Sequence, residues 1–246
     1  MFKKSGLKLG LAALLFFSIG GCGSDSTSTD APTASISPSG NDSPQRTDDL
    51  DRSHSEPSVS GSSVATPEAS QKNLHPEVVI NTSEGKIRIR LDAEKAPVTV
   101  DNFLENYVDR RFYDGTIFHY VEKGFMIIGG GYASDGEVKA TRAPIRNESD
   151  NGLKNARGTV AMSRQPDYDH SATSQFFINL ADNPPLDFVK AKDEEGEDTF
   201  GYCVFGVVTE GMDVVDRFAE VAVHDTETLL NTPVQPIVIQ SIERVP

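Results

Sequence analysis

The sequence predicts a mainly β protein, an antiparallel barrel or sandwich with two helices, over residues 77–246. Three observations favour this class: short apolar segments with a period of two, frequent loops rich in Gly, Asn and Asp, and only two stretches with helical spacing. This pattern differs from the regular alternation of strands and helices that indicates βαβ units. A segment of about 170 residues is long enough for one hydrophobic core. We therefore expect a single domain.

The domain is predicted to begin with a hairpin and a helix. Ile87, Ile89 and Leu91 alternate with arginines, which is typical of a half-buried strand. A short link that contains Gly85 joins this segment to the apolar residues 78–80 and completes the hairpin. Pro97 fits the first turn of a helix, where its missing N–H has no cost. An apolar stripe at helical spacing follows it: Val100, Phe103, Leu104, Tyr107 and Val108.

The remaining elements are predicted to be short strands and one more helix. We expect strands near residues 117–121, 125–128, 159–162, 175–179 and 204–208. A second helix is expected near 212–219, and a last strand near 236–245.

The first 21 residues are predicted to be a signal peptide. Three lysines precede an apolar run over 9–19, which is shorter than the ~20 residues of a membrane span. The segment 19–22 resembles a bacterial lipobox and ends at Cys22, the residue expected to be lipidated. An ordinary signal peptide with an incidental Cys22 is the alternative. The position of the cysteine at the end of the apolar run favours lipidation.

Residues 22–76 are predicted to be a disordered tether that follows the lipidated cysteine. The segment is rich in Ser, Thr, Pro, Asp and Gly, and its few apolar residues follow no period. Such a tether would hold the domain at 77–246 away from a membrane to which the lipid is anchored. The expected location is extracytoplasmic, as a membrane-anchored lipoprotein on the periplasmic or cell-surface face.

Charge and cysteine content exclude several other classes of protein. The net charge of -14 argues against a nucleic-acid partner, because non-specific binding to nucleic acid needs a basic face. With Cys22 assigned to the lipid, Cys203 is expected to be a buried, inert thiol rather than part of a disulfide framework. The histidines have no metal-ligand spacing, so no metal site is expected from them. A monomer is the default.

Many short motifs give residues 77–246 a resemblance to the cyclophilins, the prolyl cis/trans isomerases, and above all to the bacterial members. In order, they are Asn102-Phe103, Phe112-Tyr113-Asp114-Gly115-Thr116-Ile117-Phe118-His119, Gly124-Phe125-Met126, Gly129-Gly130-Gly131, Asn151-Gly152-Leu153-Lys154-Asn155, Gly158-Thr159-Val160-Ala161-Met162, Ser174-Gln175-Phe176-Phe177-Ile178-Asn179, Val204-Phe205-Gly206 and Gly211-Met212-Asp213-Val214-Val215-Asp216. The resemblance implies a closed eight-stranded barrel capped by two helices. It also implies an isomerase that needs no cofactor.

The resemblance also implies a set of substrate-binding residues. The apolar walls of the proline pocket would be Phe125, Met126, Phe177 and Leu186. From the residues alone, such side chains are better explained as barrel core, and only the resemblance favours a pocket. The resemblance also implies that the amide of Gln175 holds the substrate backbone and that Tyr202 supplies a ring edge and a hydroxyl. Met162, Ser163 and Arg164 would lie at the end of a strand along the groove. His119 also matches a family position, and we expect its role to be structural.

Two site positions depart from the family pattern. Tyr120 stands where the family usually has its catalytic arginine, and Ile128 where it usually has a glutamine. A phenol replaces a permanently charged, forked donor, and an apolar side chain replaces its polar neighbour. Arg164 could supply a substitute donor, or it could be a solvated loop residue. In addition, Pro184-Pro185 stands where the family often has an aromatic, which alters one edge of the pocket.

We therefore expect an isomerase with weakened or shifted activity, in which Tyr120 and Gln175 are the candidate catalytic residues. Its partners would be proline-containing segments of exported proteins, whose folding it assists. The alternatives are a non-catalytic chaperone or scaffold that binds prolyl peptides, and a structural surface lipoprotein that has lost the site.

Overall fold

The computed structural model describes residues 73–191, 196 and 198–246. The predicted signal peptide, Cys22 and almost the whole of the predicted tether lie outside these residues. Within the described part of the chain, we find no helix with the length and hydropathy of a membrane span.

Eight strands form a closed antiparallel barrel, so the predicted fold class is confirmed. The strands of the protein are β1 (Glu77–Thr82), β2 (Gly85–Leu91), β3 (Thr116–Glu122), β4 (Met126–Ala133), β5 (Thr159–Met162), β6 (Phe176–Asn179), β7 (Val204–Glu210), β8 (Val223–His224), β9 (Thr232–Pro233) and β10 (Ile237–Arg244). Around the barrel the order is β1-β10-β3-β4-β6-β5-β7-β2, and the predicted hairpin of β1 and β2 closes it. Closure leaves no strand edge unpaired in the barrel.

The two predicted helices are present, and the first is partly π-helical. Helix α1 (Pro97–Asp101) has its proline in the first turn and continues into a π-helical segment, Asn102–Val108. In that segment the N–H of Asp109 donates to the carbonyl of Leu104, five residues earlier, at 2.8 Å. Helix α2 covers Met212–Phe218. Short 3-10 turns occur at Ser149–Asn151 and Pro184–Leu186.

Aromatic rings fill one end of the barrel interior. Phe103 from the π-helical segment lies within 5.2–5.7 Å, centroid to centroid, of the rings of Tyr113, Phe176 and Phe205. The residues predicted to alternate inward on β2 are buried, as expected from their period of two. This interior is separate from the apolar cluster described below, which lies on the other face of the strands.

Two features of the fold were not predicted, one in the barrel and one in a separate two-stranded sheet. Strand β4 continues through the three glycines at 129–131 to Ala133, because pairing with β3 continues beyond the apolar run that predicted it. The short hairpin of β8 and β9 also went unpredicted. Strands of two residues are too short to show a period, so sequence patterns carry no signal for them.

Candidate functional site

An apolar cluster lies on the outer face of five adjacent strands. Cross-strand pairing places Tyr120 beside Ile128, Ile128 beside Phe177, Phe177 beside Ala161, and Ala161 beside Val204. The residues next to these on the same strands belong to the interior core, so the alternation of side chains turns this row outward.

A β-bulge in β3 turns Tyr120 toward this cluster. Phe118 pairs with Gly129 and Tyr120 pairs with Ile128, which leaves His119 as an extra residue in β3. The shift lets both Phe118 and Val121 enter the interior core while Tyr120 joins the outer cluster. Bulges of this kind re-aim side chains near functional sites.

The predicted walls of the proline pocket meet in this cluster. Met126 and Phe177 are buried in it, and Phe125, Leu186 and Tyr202 are partly buried around it. The ring of Tyr202 meets that of Phe177 edge-on at 5.5 Å. Met162 was expected along the groove but instead lies in the barrel interior, 1% exposed, because it follows Ala161 by one residue on β5.

Three buried asparagines hold the pocket walls in place. The Asn183 side chain donates to the carbonyl of Phe125 at 3.0 Å and to Oδ1 of Asn179 at 2.7 Å. Asn155 receives a bond from Asn179 and donates to the carbonyl of Leu186 at 2.9 Å. Satisfied buried networks of this kind fix geometry, so the wall residues are preorganised by the backbone around them.

The hydroxyl of Tyr120 already donates a hydrogen bond within the protein. The hydroxyl donates a short hydrogen bond to the carboxylate of Glu122, two residues along the same strand face. Asn231, which precedes β9, also hydrogen-bonds to the phenol. Burial, together with the bond to Glu122, raises the pKa of Tyr120 to about 12, so the phenol is neutral at physiological pH.

Gln175 presents an unpaired polar atom beside the cluster. Its side chain lies flat against Gly131, where a Cβ would stand only 2.5 Å from Nε2. Its Oε1 is buried and has no hydrogen-bond partner among the described residues. The carbonyl of Gln175 accepts from the N–H of Ser163, which is itself buried. Because Oε1 is shielded from solvent, it could accept a backbone N–H from a bound peptide only after the Gln175 side chain rotates.

His119 is packed away from solvent. Its ring centroid lies 4.5 Å from that of Tyr132, and the residue is 3% exposed. Burial lowers the pKa of His119 to about 4, against a weaker opposing effect of a hydrogen bond with the backbone of Ile117. The ring is thus neutral at physiological pH, which fits the structural role expected for it.

Arg164 is neither a free donor nor a solvated residue. Its side chain is only 9% exposed and pairs with Asp169 at 3.3 Å. Its guanidinium also donates to four backbone carbonyls, those of Gln165, Pro166, Phe200 and Gly201. With its donors engaged in these bonds, Arg164 ties two loops together beside the pocket.

Several site residues were not singled out from the sequence. Glu122 could have been found, because the period of two on β3 places it on the same face as Tyr120. Ala161 and Val204, which continue the outer row, also follow from strand alternation. Asn183 and Asn231 reach the site through loops, and no local pattern predicts their contacts.

Comparison with known proteins gives a consistent result. Residues 77–244 match the family model described as cyclophilin type peptidyl-prolyl cis-trans isomerase/CLD. Peptidyl-prolyl cis-trans isomerase A of Dickeya dadantii is 51% identical over 164 residues, which cover 67% of this chain and 82% of that protein. Peptidyl-prolyl cis-trans isomerase B of Escherichia coli is 47% identical over 165 residues, 67% of this chain and 97% of that protein.

The fold comparison agrees. The crystal structure of a cyclophilin type peptidyl-prolyl cis-trans isomerase from Cryptosporidium parvum superposes with a TM-score of 0.56 at 24% identity. The superposition covers 70% of this chain and 98% of that one.

Proposed function

Because the chain belongs to the family of cyclophilin-type peptidyl-prolyl cis-trans isomerases, we propose that it is a folding isomerase for exported proteins whose turnover is lowered by Tyr120. The observation that carries the proposal is an apolar pocket with its walls in place beside a phenol whose proton is donated to Glu122. Substrate binding and catalytic rate are then separable properties of this site.

The reaction asks for binding and polarisation rather than covalent chemistry. Rotation about an X–Pro bond faces a barrier of ~18–20 kcal/mol from amide resonance. An enzyme lowers it by holding the twisted state more tightly than the planar ones. Phe125, Met126, Phe177 and Leu186 would enclose the proline ring. The amide of Gln175 would bind the peptide backbone once a rotation of its side chain brings Oε1 out of its buried position.

A donor aimed at the prolyl nitrogen draws its lone pair out of conjugation as the bond twists. An arginine fork would supply this donor with full charge. Tyr120 is neutral, and neutral hydrogen bonds are roughly half as strong as charge-assisted ones. Its single proton is also shared with Glu122 rather than free for the substrate. Both effects lower the rate of isomerisation more than they lower the affinity for the prolyl peptide.

Turnover of a proline-containing test peptide is the experiment that tests this proposal. We expect kcat/KM to lie about tenfold or more below that of a relative with arginine at this position. Titration with the same peptide should still give saturable binding. A rate equal to that of the arginine-bearing relative would refute the weakening.

The second candidate function is a non-catalytic chaperone or scaffold that binds prolyl peptides. The hydrogen bond from Tyr120 to Glu122 also favours this non-catalytic candidate, because an apolar pocket can bind a proline ring without a donor aimed at the prolyl nitrogen. Saturable binding of the test peptide without measurable isomerisation would support the non-catalytic candidate. Absence of both would leave only a structural surface lipoprotein with the barrel fold.

We also propose that the protein is an extracytoplasmic lipoprotein anchored through Cys22. Support comes from the basic and apolar start of the chain and the lipobox-like segment 19–22. The anchor and the long polar segment after it would present the domain to emerging exported chains. Metabolic labelling with a fatty acid tests this, with loss of label in Cys22→Ser as the expected result. Label that survives the substitution would contradict it.

A further inference from the structure

The side chain of Glu122 lies at the rim of the proline pocket. Glu122 ends β3 and pairs across the strands with Met126, a pocket wall. Directly opposed residues in an antiparallel pair have Cβ atoms about 4.5–5.5 Å apart. The N–H of Phe125, another wall residue, donates to the carbonyl of Glu122 at 3.0 Å across the turn that joins β3 to β4. Glu122 is thus a close neighbour of two walls of the pocket.

Glu122 carries a negative charge that no cation offsets within the described residues. Its Oε2 accepts a hydrogen bond from the Tyr120 hydroxyl, and its Oε1 has no hydrogen bond or ion pair among the described residues. The side chain is partly exposed, so this oxygen is within reach of a ligand. A phenol donor leaves the charge of the carboxylate in place, whereas an arginine would have neutralised it.

Cations near the pocket are paired with other carboxylates. Lys123, the next residue, bonds Glu220 at 2.7 Å. Arg164 pairs with Asp169. Lys154 lies 3.6 Å from Asp187, next to the wall residue Leu186. With these charges balanced locally, Glu122 sets the sign of the charge at the rim.

We propose that Glu122 is a specificity-determining residue that selects prolyl peptides with a lysine or arginine next to the proline. The inference rests on the proposed function, since it concerns the same pocket. Successive residues of an extended peptide lie about 3.3–3.6 Å apart. A residue adjacent to a proline seated on Met126 therefore comes within reach of Glu122 with a side chain as long as lysine. A glutamate at that position would be repelled.

Matched peptides with Lys, Ala or Glu either before or after the proline test this proposal on the full-length protein in detergent. We expect the Lys peptide to bind about fivefold or more tightly than the Glu peptide in one of the two series at low salt. The ratio should fall toward one at high ionic strength, where charges are screened. In Glu122→Gln most of the preference should disappear, and in Glu122→Lys it should invert.

Glu105→Gln is the matched control, because it removes the same charge from an exposed site on the π-helical segment. It should leave the preference intact. Equal binding of Lys and Glu peptides, or a preference that survives Glu122→Gln, would overturn the inference, while isomerisation of the Ala peptide would uphold the proposed function independently. If no peptide of either series binds, both the inference and the proposed function fail.

Discussion

The guanidinium of Arg164 stacks over the ring of Tyr202, with its central carbon 4.9 Å from the ring centroid. Tyr202 in turn meets Phe177 of the pocket edge-on. The same guanidinium holds the carbonyls of the segment just before Tyr202, at Phe200 and Gly201. A cation that the sequence offered as a substitute donor thus orients a pocket wall through stacking and backbone contacts.

Replacing this arginine by lysine should loosen the site although the charge is kept. A lysine has one nitrogen and cannot serve carbonyls in two separate loops at once. We expect Arg164→Lys to lower the free energy of unfolding by about 2 kcal/mol and to raise KM for prolyl peptides more than it lowers kcat. Urea unfolding and steady-state kinetics measure the two effects.

A suitable comparison is Arg217→Lys, at an arginine 56% exposed that pairs with Asp213 along helix α2. That change should cost less than about 0.5 kcal/mol. If both variants lose the same small amount, the Arg164 contacts do not organise the pocket.

Sequence patterns were sufficient for the mainly β class, and the resemblance to cyclophilins for the closed barrel, but neither predicted the contacts between loops. The alternation at Ile87, Ile89 and Leu91 and the Pro97 helix start are local signals, and the structure confirms both elements. The environment of Arg164 depends on carbonyls from a loop more than thirty residues away in the chain. No local period encodes such a contact, so the expectation of a solvated Arg164 was wrong, and a role of Arg164 toward substrate stays a prediction.

The same distinction applies to Tyr120. Its position on a strand of the site followed from motifs, but the hydrogen bond that it donates to Glu122 depends on side-chain direction at a bulge. Bulges shift the alternation by one residue, and the sequence of β3 has no glycine or proline to signal the shift.

Restoring the family residues at both departures should raise catalysis. The double variant Tyr120→Arg with Ile128→Gln returns a charged fork and its polar neighbour to adjacent strands. We expect kcat/KM to rise about tenfold, because a charge-assisted donor then acts on the twisted peptide bond. Protease-free isomerisation assays measure it, with a melting curve to check folding.

Tyr120→Phe shows whether the phenol itself contributes. If the Tyr120 hydroxyl donates only to Glu122, removal of the hydroxyl should change kcat/KM by less than about threefold. No gain in the double variant would show that Tyr120 is not the limiting change.

Cys203 should be inert in the folded protein. It is buried, and burial is the main cause that raises the pKa of its thiol to about 12. At pH 8 the thiolate fraction is then about 10⁻⁴, against roughly a quarter for a free cysteine. In a Cys22→Ser background, a thiol reagent should label Cys203 at least about 100-fold more slowly than a free thiol. Urea should remove the protection, and rapid labelling of the native protein would contradict the prediction.

His119 should make the fold sensitive to mild acid. Its folded pKa of about 4 lies below its ordinary value of 6.5, because burial disfavours the charged ring. Between these two values the unfolded chain binds more protons than the folded one. Stability from this residue is therefore complete above pH 6.5 and is lost as the pH falls toward 4. Between pH 7.5 and 5 the loss amounts to about 2 kcal/mol.

Urea unfolding at the two pH values measures this loss. His119→Leu removes the buried base, so its unfolding free energy should fall by about 2 kcal/mol less than that of the unmodified protein over the same pH interval. His224→Gln, at an exposed histidine on β8, serves as the control and should keep the full pH dependence. Carboxylates contribute to acid sensitivity in all three proteins alike, so the difference isolates the imidazole. Identical pH dependence in the His119 variant and the unmodified protein would mean that the ring accepts a proton in the folded state as readily as in the unfolded one.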